Sequence, residues 1–215
     1  MSVRTRIKIC GLTREADLDV AVDSGADAIG FVLYEKSPRA VSVDRAAQLA
    51  RRLPPFVTPV LLFVNAAPAL IERAVSDVPH ALLQFHGDET AADCAAAGRA
   101  FLRAVRMAPG LDLLDFAAAY PAAAGLLLDA HVEGFGGGGK AFDWSLVPAR
   151  VPLPLVLSGG LNPASVGYGV LRVRPFAVDV SSGVESAKGI KDAVLIRRFC
   201  DAVREADARI ADSEA

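Results

Sequence analysis

The chain has 215 residues, is 53% apolar and carries a formal net charge of -2, from 23 basic and 25 acidic side chains. That is enough apolar material for one well-packed core, and α/β barrels of this size are single domains. The balanced, interspersed charge argues against electrostatic nucleic-acid binding, and short basic runs such as ARR (50–52) read as solvated faces. The N-terminal MSVRTRIKIC lacks the long apolar core of a secretory signal, and no run approaches the roughly 18 apolar residues of a membrane span. A cytoplasmic protein with no membrane partner is the expectation.

Short apolar runs alternate with amphipathic stretches along the chain. RIKIC opens the series, followed by the helical pattern TREADLDVAVDSG, the strand AIGFVLY, the helix SVDRAAQLARRL, the strand TPVLLFV and the helix PALIERAVSDV. The strands ALLQFHG, AFLRAVRM, AGLLLDA, LPLVLSGG and FAVDVSSG come next, and the helix IKDAVLIRRFCDAVREADARI closes the series before a tail expected to fray from about residue 207 to 215. Helix starts are marked by Thr13 with its acidic neighbour, by Ser42, and by Asn162 with Pro163. Eight strands, each followed by a helix or a long loop, predict a single-domain (β/α)8 barrel. An open doubly wound sheet fits less well, because it would gather the polar and glycine-rich signals at one switch point instead of after most strands.

Strand alternation sorts the side chains. Lys8 and Cys10 share one face of the first strand, opposite Ile7 and Ile9; Gln84 and His86 oppose Leu83 and Phe85; Leu127 and Asp129 oppose Leu126 and Leu128; Asp179 and Ser181 oppose Val178 and Val180. The apolar members suit the helices, which turns the polar members into the barrel, with the last of each at the C-terminal end where barrel enzymes place their chemistry. Lys8 and Asp179 would be inward on neighbouring strands and are expected to pair, since a lone buried charge is costly.

Glycines at strand ends let backbone N–H groups approach an anion. LSGGLN supplies Gly159 and Gly160, and VDVSSGVE supplies Ser181, Ser182 and Gly183, after the seventh and eighth strands, a recurrent phosphate site in this fold. The loop EGFGGGGKAFDW, with Gly137 and Gly138, would add a lid or a second wall; no Ser or Thr follows Lys140, so it is not a Walker loop. A small phosphorylated molecule is the expected substrate. The three cysteines, Cys10, Cys94 and Cys200, form no CxxC pair and no zinc-type cluster; the latter two read as buried, inert thiols. Neither they nor the histidines suggest a metal.

Taken together, KICGLT, GFVLYEKSPR, LLFVN, QFHGDE, LLLDA, GGGGKAFDW, LSGGLN and VDVSSGVE resemble the phosphoribosylanthranilate isomerases of tryptophan biosynthesis, in the family's order and over nearly the whole chain. One departure is Gly138, which stands where the family's loop after the sixth strand usually has threonine. The resemblance implies a (β/α)8 fold and an Amadori rearrangement of N-(5-phosphoribosyl)anthranilate, with no cofactor and no metal. It also implies Cys10 as general base and Asp129 as general acid. Arg39, after the second strand, suits the anthranilate carboxylate, while Gln84 and His86 line the pocket or serve the structure. The related isomerase of histidine biosynthesis typically uses two aspartates, against Cys10 here. A silent barrel that only binds phosphorylated metabolites would not need the Cys10/Asp129 pair. Monomer and homodimer both remain open.

Overall fold

The structure, a computed structural model, describes residues 4–130 and 142–214. Eight parallel strands close into a barrel in sequence order: β1 (Arg6–Cys10), β2 (Ala28–Val32), β3 (Thr58–Phe63), β4 (Leu82–Phe85), β5 (Phe101–Met107), β6 (Gly125–Ala130), β7 (Leu155–Leu157) and β8 (Ala177–Val180), which returns to β1. Helices α1 (Glu15–Asp23), α2 (Val43–Ala50), α3 (Pro68–Asp77), α4 (Ala91–Ala96) and α5 (Leu113–Ala119) follow the first five strands in turn. After β6 the described chain resumes as a single 3₁₀ turn, Trp144–Leu146; α6 (Val166–Val173) follows β7. Beyond β8 a small antiparallel ribbon, β9 (Glu185–Ala187) with β10 (Ile190–Lys191), precedes α7 (Ala193–Glu214).

The period-2 alternation decides the layering. Ile7, Ile9, Ile29, Phe31, Leu61, Phe63, Leu83 and Phe85 pack outward with helix residues such as Leu18, Leu49 and Phe199 in the main core. Leu126 and Leu128 meet Leu113 and Ala117 of α5. Leu82, Leu102, Ala104, Leu127, Val156 and Ala177, from five different strands, fill the barrel interior. Cys10, Val32, Leu62 and Val64 form an apolar patch nearer the C-terminal mouth. Cys94 and Cys200 are fully buried, as the sequence suggests, and burial pushes each thiol up to about 11.

Lys8 and Asp179 are direct partners in the β1–β8 register, and Nζ donates to Oδ1 at 2.7 Å with both side chains buried. The expected pair is present.

Three local expectations change. The tail does not fray from residue 207: α7 continues to Glu214, because Ala206 is buried and Asp207 accepts hydrogen bonds from Thr5 N and Oγ1 at 2.8 and 2.6 Å. Thr13 does not cap α1, whose cap position is Arg14 without a side-chain bond; the Thr13 hydroxyl donates instead to Gly189 O. Ser42 caps α2 as expected, accepting from Arg45 N, whereas Asn162 Oδ1 accepts from Ala164 N and Ser165 N one turn before α6 begins. Among the described residues, no helix is long and apolar enough to cross a membrane.

Removing one charge of a buried pair strands the other. Asp179→Asn is therefore expected to lower the unfolding free energy in urea by about 3 kcal/mol. The joint replacement Lys8→Met with Asp179→Leu should recover most of that loss. Equal losses in both would show that the pair's charges are not what holds the seam.

Candidate active site

Cys10 ends β1, 4% exposed, at the C-terminal mouth. Its register partner on β2 is Gly30, where a Cβ would lie 2.7 Å from the Cys10 sulfur, so the glycine makes room for the thiol. Burial pushes the thiol up, Lys8 pulls it down, Asp179 pushes it up again and Lys191 pulls it down; the net direction is upward. For Lys8, burial acts downward, but Asp179 and Cys10 outweigh it and hold the ammonium above its ordinary value.

Asp129 lies one residue before the end of β6 and is buried. Its Oδ1 accepts from Ala130 N at 2.9 Å, and its Oδ2 lies 3.0 Å from His86 Nε2. His86 Nδ1 in turn lies 3.0 Å from Gln84 Nε2. Gln84, inward on β4, is fully buried, and His86 follows that strand. The alternation that put these two residues on one face has made them the support of Asp129.

Arg39, in the loop after β2, is buried and held in a fork by Glu185, with Nε–Oε1 at 2.7 Å and Nη2–Oε2 at 2.8 Å. Glu185 also accepts from Lys191 Nζ at 2.8 Å, and the same ammonium donates to Ser181 O and Oγ. Burial pushes the Glu185 carboxyl up, yet the hydrogen bonds from Arg39 and Lys191 hold it below its ordinary range. Burial pulls Lys191 down, and the net shift keeps that direction despite Glu185. The sequence reading missed both Glu185 and Lys191. They sit on a ribbon with strands of three and two residues, turned by Gly189 at φ +78°, too short for any period to show.

The glycine loops after β7 and β8 meet each other. Gly159 and Gly160 have φ of +75° and +68°, and a Cβ on Gly159 would fall 2.5 Å from Ala130 N and 3.1 Å from Asp129 Oδ1. A Cβ on Gly183 would fall 1.9 Å from Leu161 O, so the loops after β7 and β8 pack backbone to backbone. Ser181 and Ser182 lead from β8 into that contact. The third glycine run, with Gly137 and Gly138, lies outside the described residues. Among the described residues, no group of three or more His, Cys, Asp or Glu side chains is placed to hold a metal.

A closed (β/α)8 barrel with a buried thiol, a buried carboxyl and two interlocked glycine loops at one mouth has the build of an enzyme of acid–base chemistry. The family model described as N-(5'phosphoribosyl)anthranilate (PRA) isomerase matches residues 7–202. The N-(5'-phosphoribosyl)anthranilate isomerase of Leptothrix cholodnii is 71% identical over 210 residues, covering 98% of this chain and 96% of that protein. The phosphoribosyl anthranilate isomerase of Thermotoga maritima superposes with a TM-score of 0.86 at 42% identity, over 94% of this chain and 99% of that one. Another crystal structure of such an isomerase, holding reduced 1-(o-carboxyphenylamino)-1-deoxyribulose 5-phosphate, gives a TM-score of 0.83 at 40% identity, over 94% and 99% of the two chains. This chain belongs to the N-(5'-phosphoribosyl)anthranilate isomerase family.

Because only the thiolate is alkylated quickly, the rate of Cys10 modification by iodoacetamide reads its ionisation. With the thiol pushed above its ordinary 9.0, that rate should still be climbing at pH 9. Removing one of the two cations that pull it down, in Lys191→Met, should move the curve to higher pH. A plateau already reached at neutral pH would contradict this balance.

Proposed function

We propose that Asp129 and Cys10 divide the proton transfers that turn N-(5-phosphoribosyl)anthranilate into 1-(2-carboxyphenylamino)-1-deoxyribulose 5-phosphate. The reaction is the family's, an aldose–ketose isomerisation within tryptophan biosynthesis. Asp129 protonates the furanose ring oxygen as the bond from C1 to that oxygen breaks, and the nitrogen lone pair forms the C=N bond of a Schiff base. The Cys10 thiolate then takes the proton from C2, and the C–H electrons form the C1=C2 bond while the iminium is neutralised. The resulting enol goes to the ketone by losing its hydroxyl proton and gaining one at C1. One acid and one base suffice, each typically worth about 10²–10⁴-fold.

The observation that carries this reading is the position of both groups. Cys10 and Asp129 are the buried thiol and carboxyl at the C-terminal ends of β1 and β6, and the β7 loop packs against Asp129 itself. The cations beneath the thiol favour its ionised form during turnover, when burial alone would keep it neutral.

The phosphate would sit on Gly159, Gly160, Ser181, Ser182 and Gly183, with Gly137 and Gly138 adding to it. Glu185 occupies the Nε–Nη2 edge of Arg39, which leaves the Nη1–Nη2 edge to grip the anthranilate carboxylate. The protein would work in the cytoplasm, as a monomer or homodimer.

Phosphoribosylanthranilate generated in situ, with loss of its fluorescence followed, tests the roles. Cys10→Ala and Asp129→Asn should each lower kcat by at least about 100-fold while circular dichroism stays that of the folded barrel. Near-normal turnover by either folded variant would refute its assignment. Arg39→Ala should act mainly on KM, raising it about tenfold or more through loss of a charge-assisted contact.

A further inference from the structure

With its neighbours arranged as the heavy atoms stand, Asp129 receives no proton from His86. Gln84 Nε2 faces His86 Nδ1 at 3.0 Å, and an amide nitrogen only donates, so Nδ1 accepts. The neutral ring then carries its proton on Nε2 and donates it to Asp129 Oδ2 at 3.0 Å, while Ala130 N–H fills Oδ1. Both carboxylate oxygens accept, and passing the ring's proton to Asp129 would leave an imidazolate. In that arrangement His86 holds no proton that it can pass on.

The amide has a second orientation. Gln84 Oε1 is buried with no hydrogen-bond partner among the described residues, so no contact with them at that atom opposes a rotation that exchanges Oε1 and Nε2. With Oε1 toward the ring, Nδ1–H donates to it, and the Nε2···Oδ2 contact then holds one further proton. That proton can sit on either atom and leave a stable partner, a neutral imidazole or an imidazolium. We propose that Gln84 is a positioning residue for the acid: its amide turns Oε1 toward His86 Nδ1, and the His86–Asp129 pair thereby stores the proton that Asp129 gives to the furanose oxygen. The proposal rests on the reading of Asp129 as general acid.

The balance closes. The shared proton leaves the pair as an Oδ2–H bond breaks and an O–H bond forms on the substrate, leaving a carboxylate beside a neutral imidazole with its hydrogen on Nδ1. Water restores the proton after product leaves, and the Cys10 thiol releases its own proton to water. Gln84 touches neither substrate nor the moving proton; it decides which ring nitrogen is bound to hydrogen. This gives the Gln84 side chain, buried and inward on β4, a task that filling space would not require.

Nitrogen NMR of the intact, ¹⁵N-histidine-labelled protein at neutral pH distinguishes the ring forms, with His86→Gln assigning the signals among the three histidines. A hydrogen on His86 Nδ1, alone or with one on Nε2, is the expected result. A bare Nδ1 with hydrogen on Nε2 alone overturns the proposal. As a second readout, Gln84→Leu keeps the volume but removes the acceptor, and should lower kcat by about tenfold or more with KM within about twofold. Gln84→Glu, which restores an acceptor, should recover kcat relative to Gln84→Leu. An unchanged kcat in Gln84→Leu, or a parallel loss of binding, also overturns it. Should Gln84→Leu fail to fold, the ring spectrum of the unaltered protein decides alone. Full turnover by Asp129→Asn would instead refute the acid assignment, and the ring spectrum does not depend on that result.

Discussion

Lys8 and Asp179 are buried charges on adjacent strands, bonded at 2.7 Å across the seam where the barrel closes on itself. In a low-dielectric interior neither charge is tolerable alone, so the pair penalises any register of β1 against β8 that separates them. The same register puts Cys10 two residues on, at the mouth, with an ammonium behind it. It also sends the chain from Asp179 into Ser181, Ser182 and Gly183, against the loop after β7. The seam of the fold and the electrostatics of the thiol therefore share one contact.

A second buried charge system rises from the first. Arg39, Glu185 and Lys191 hold two cations and one anion close together, with Lys191 tied to Ser181. One unit of positive charge is left over, beside Ser181 at the end of β8. The thiol experiences both systems, and burial still outweighs them. If Cys10 is the base, as proposed, a thiol kept mostly protonated until needed suits the reaction, because the Schiff base it would meet has an acidic C2–H and forms only after the ring opens. The Asp129 carboxyl, by contrast, is met by a histidine and a backbone N–H, so the two groups proposed for the proton transfer stand in different surroundings.

The barrel was legible because its strands are short apolar runs with strict alternation, and because glycine pairs follow the seventh and eighth of them. The same alternation placed Lys8 opposite Asp179 and put Gln84, His86 and Asp129 inside, where they form a hydrogen-bonded chain. What escaped the sequence has physical causes. Glu185 and Lys191 lie on a ribbon whose strands are two or three residues long, and the pairing of Glu185 with Arg39 joins residues 146 positions apart, beyond any local pattern. Thr13 looked like a cap because hydroxyl residues before acidic ones usually are; here a tertiary partner, Gly189 O, took its hydroxyl. The end of α7 looked frayed by composition, but Asp207 is bound by Thr5 at the entry of β1, which local propensity does not encode.

A crystal structure of this chain with reduced 1-(o-carboxyphenylamino)-1-deoxyribulose 5-phosphate, the ligand held by a solved relative, tests the division of labour most directly. The account predicts the sugar chain between Cys10 and Asp129, with the sulfur within about 3.5 Å of C2 and the carboxyl on the opposite side near the oxygen that was in the ring. The phosphate should lie on the Gly159–Gly160 and Ser181–Gly183 loops. A ligand that presents C2 away from Cys10, or that leaves Asp129 without contact to that oxygen, would contradict it.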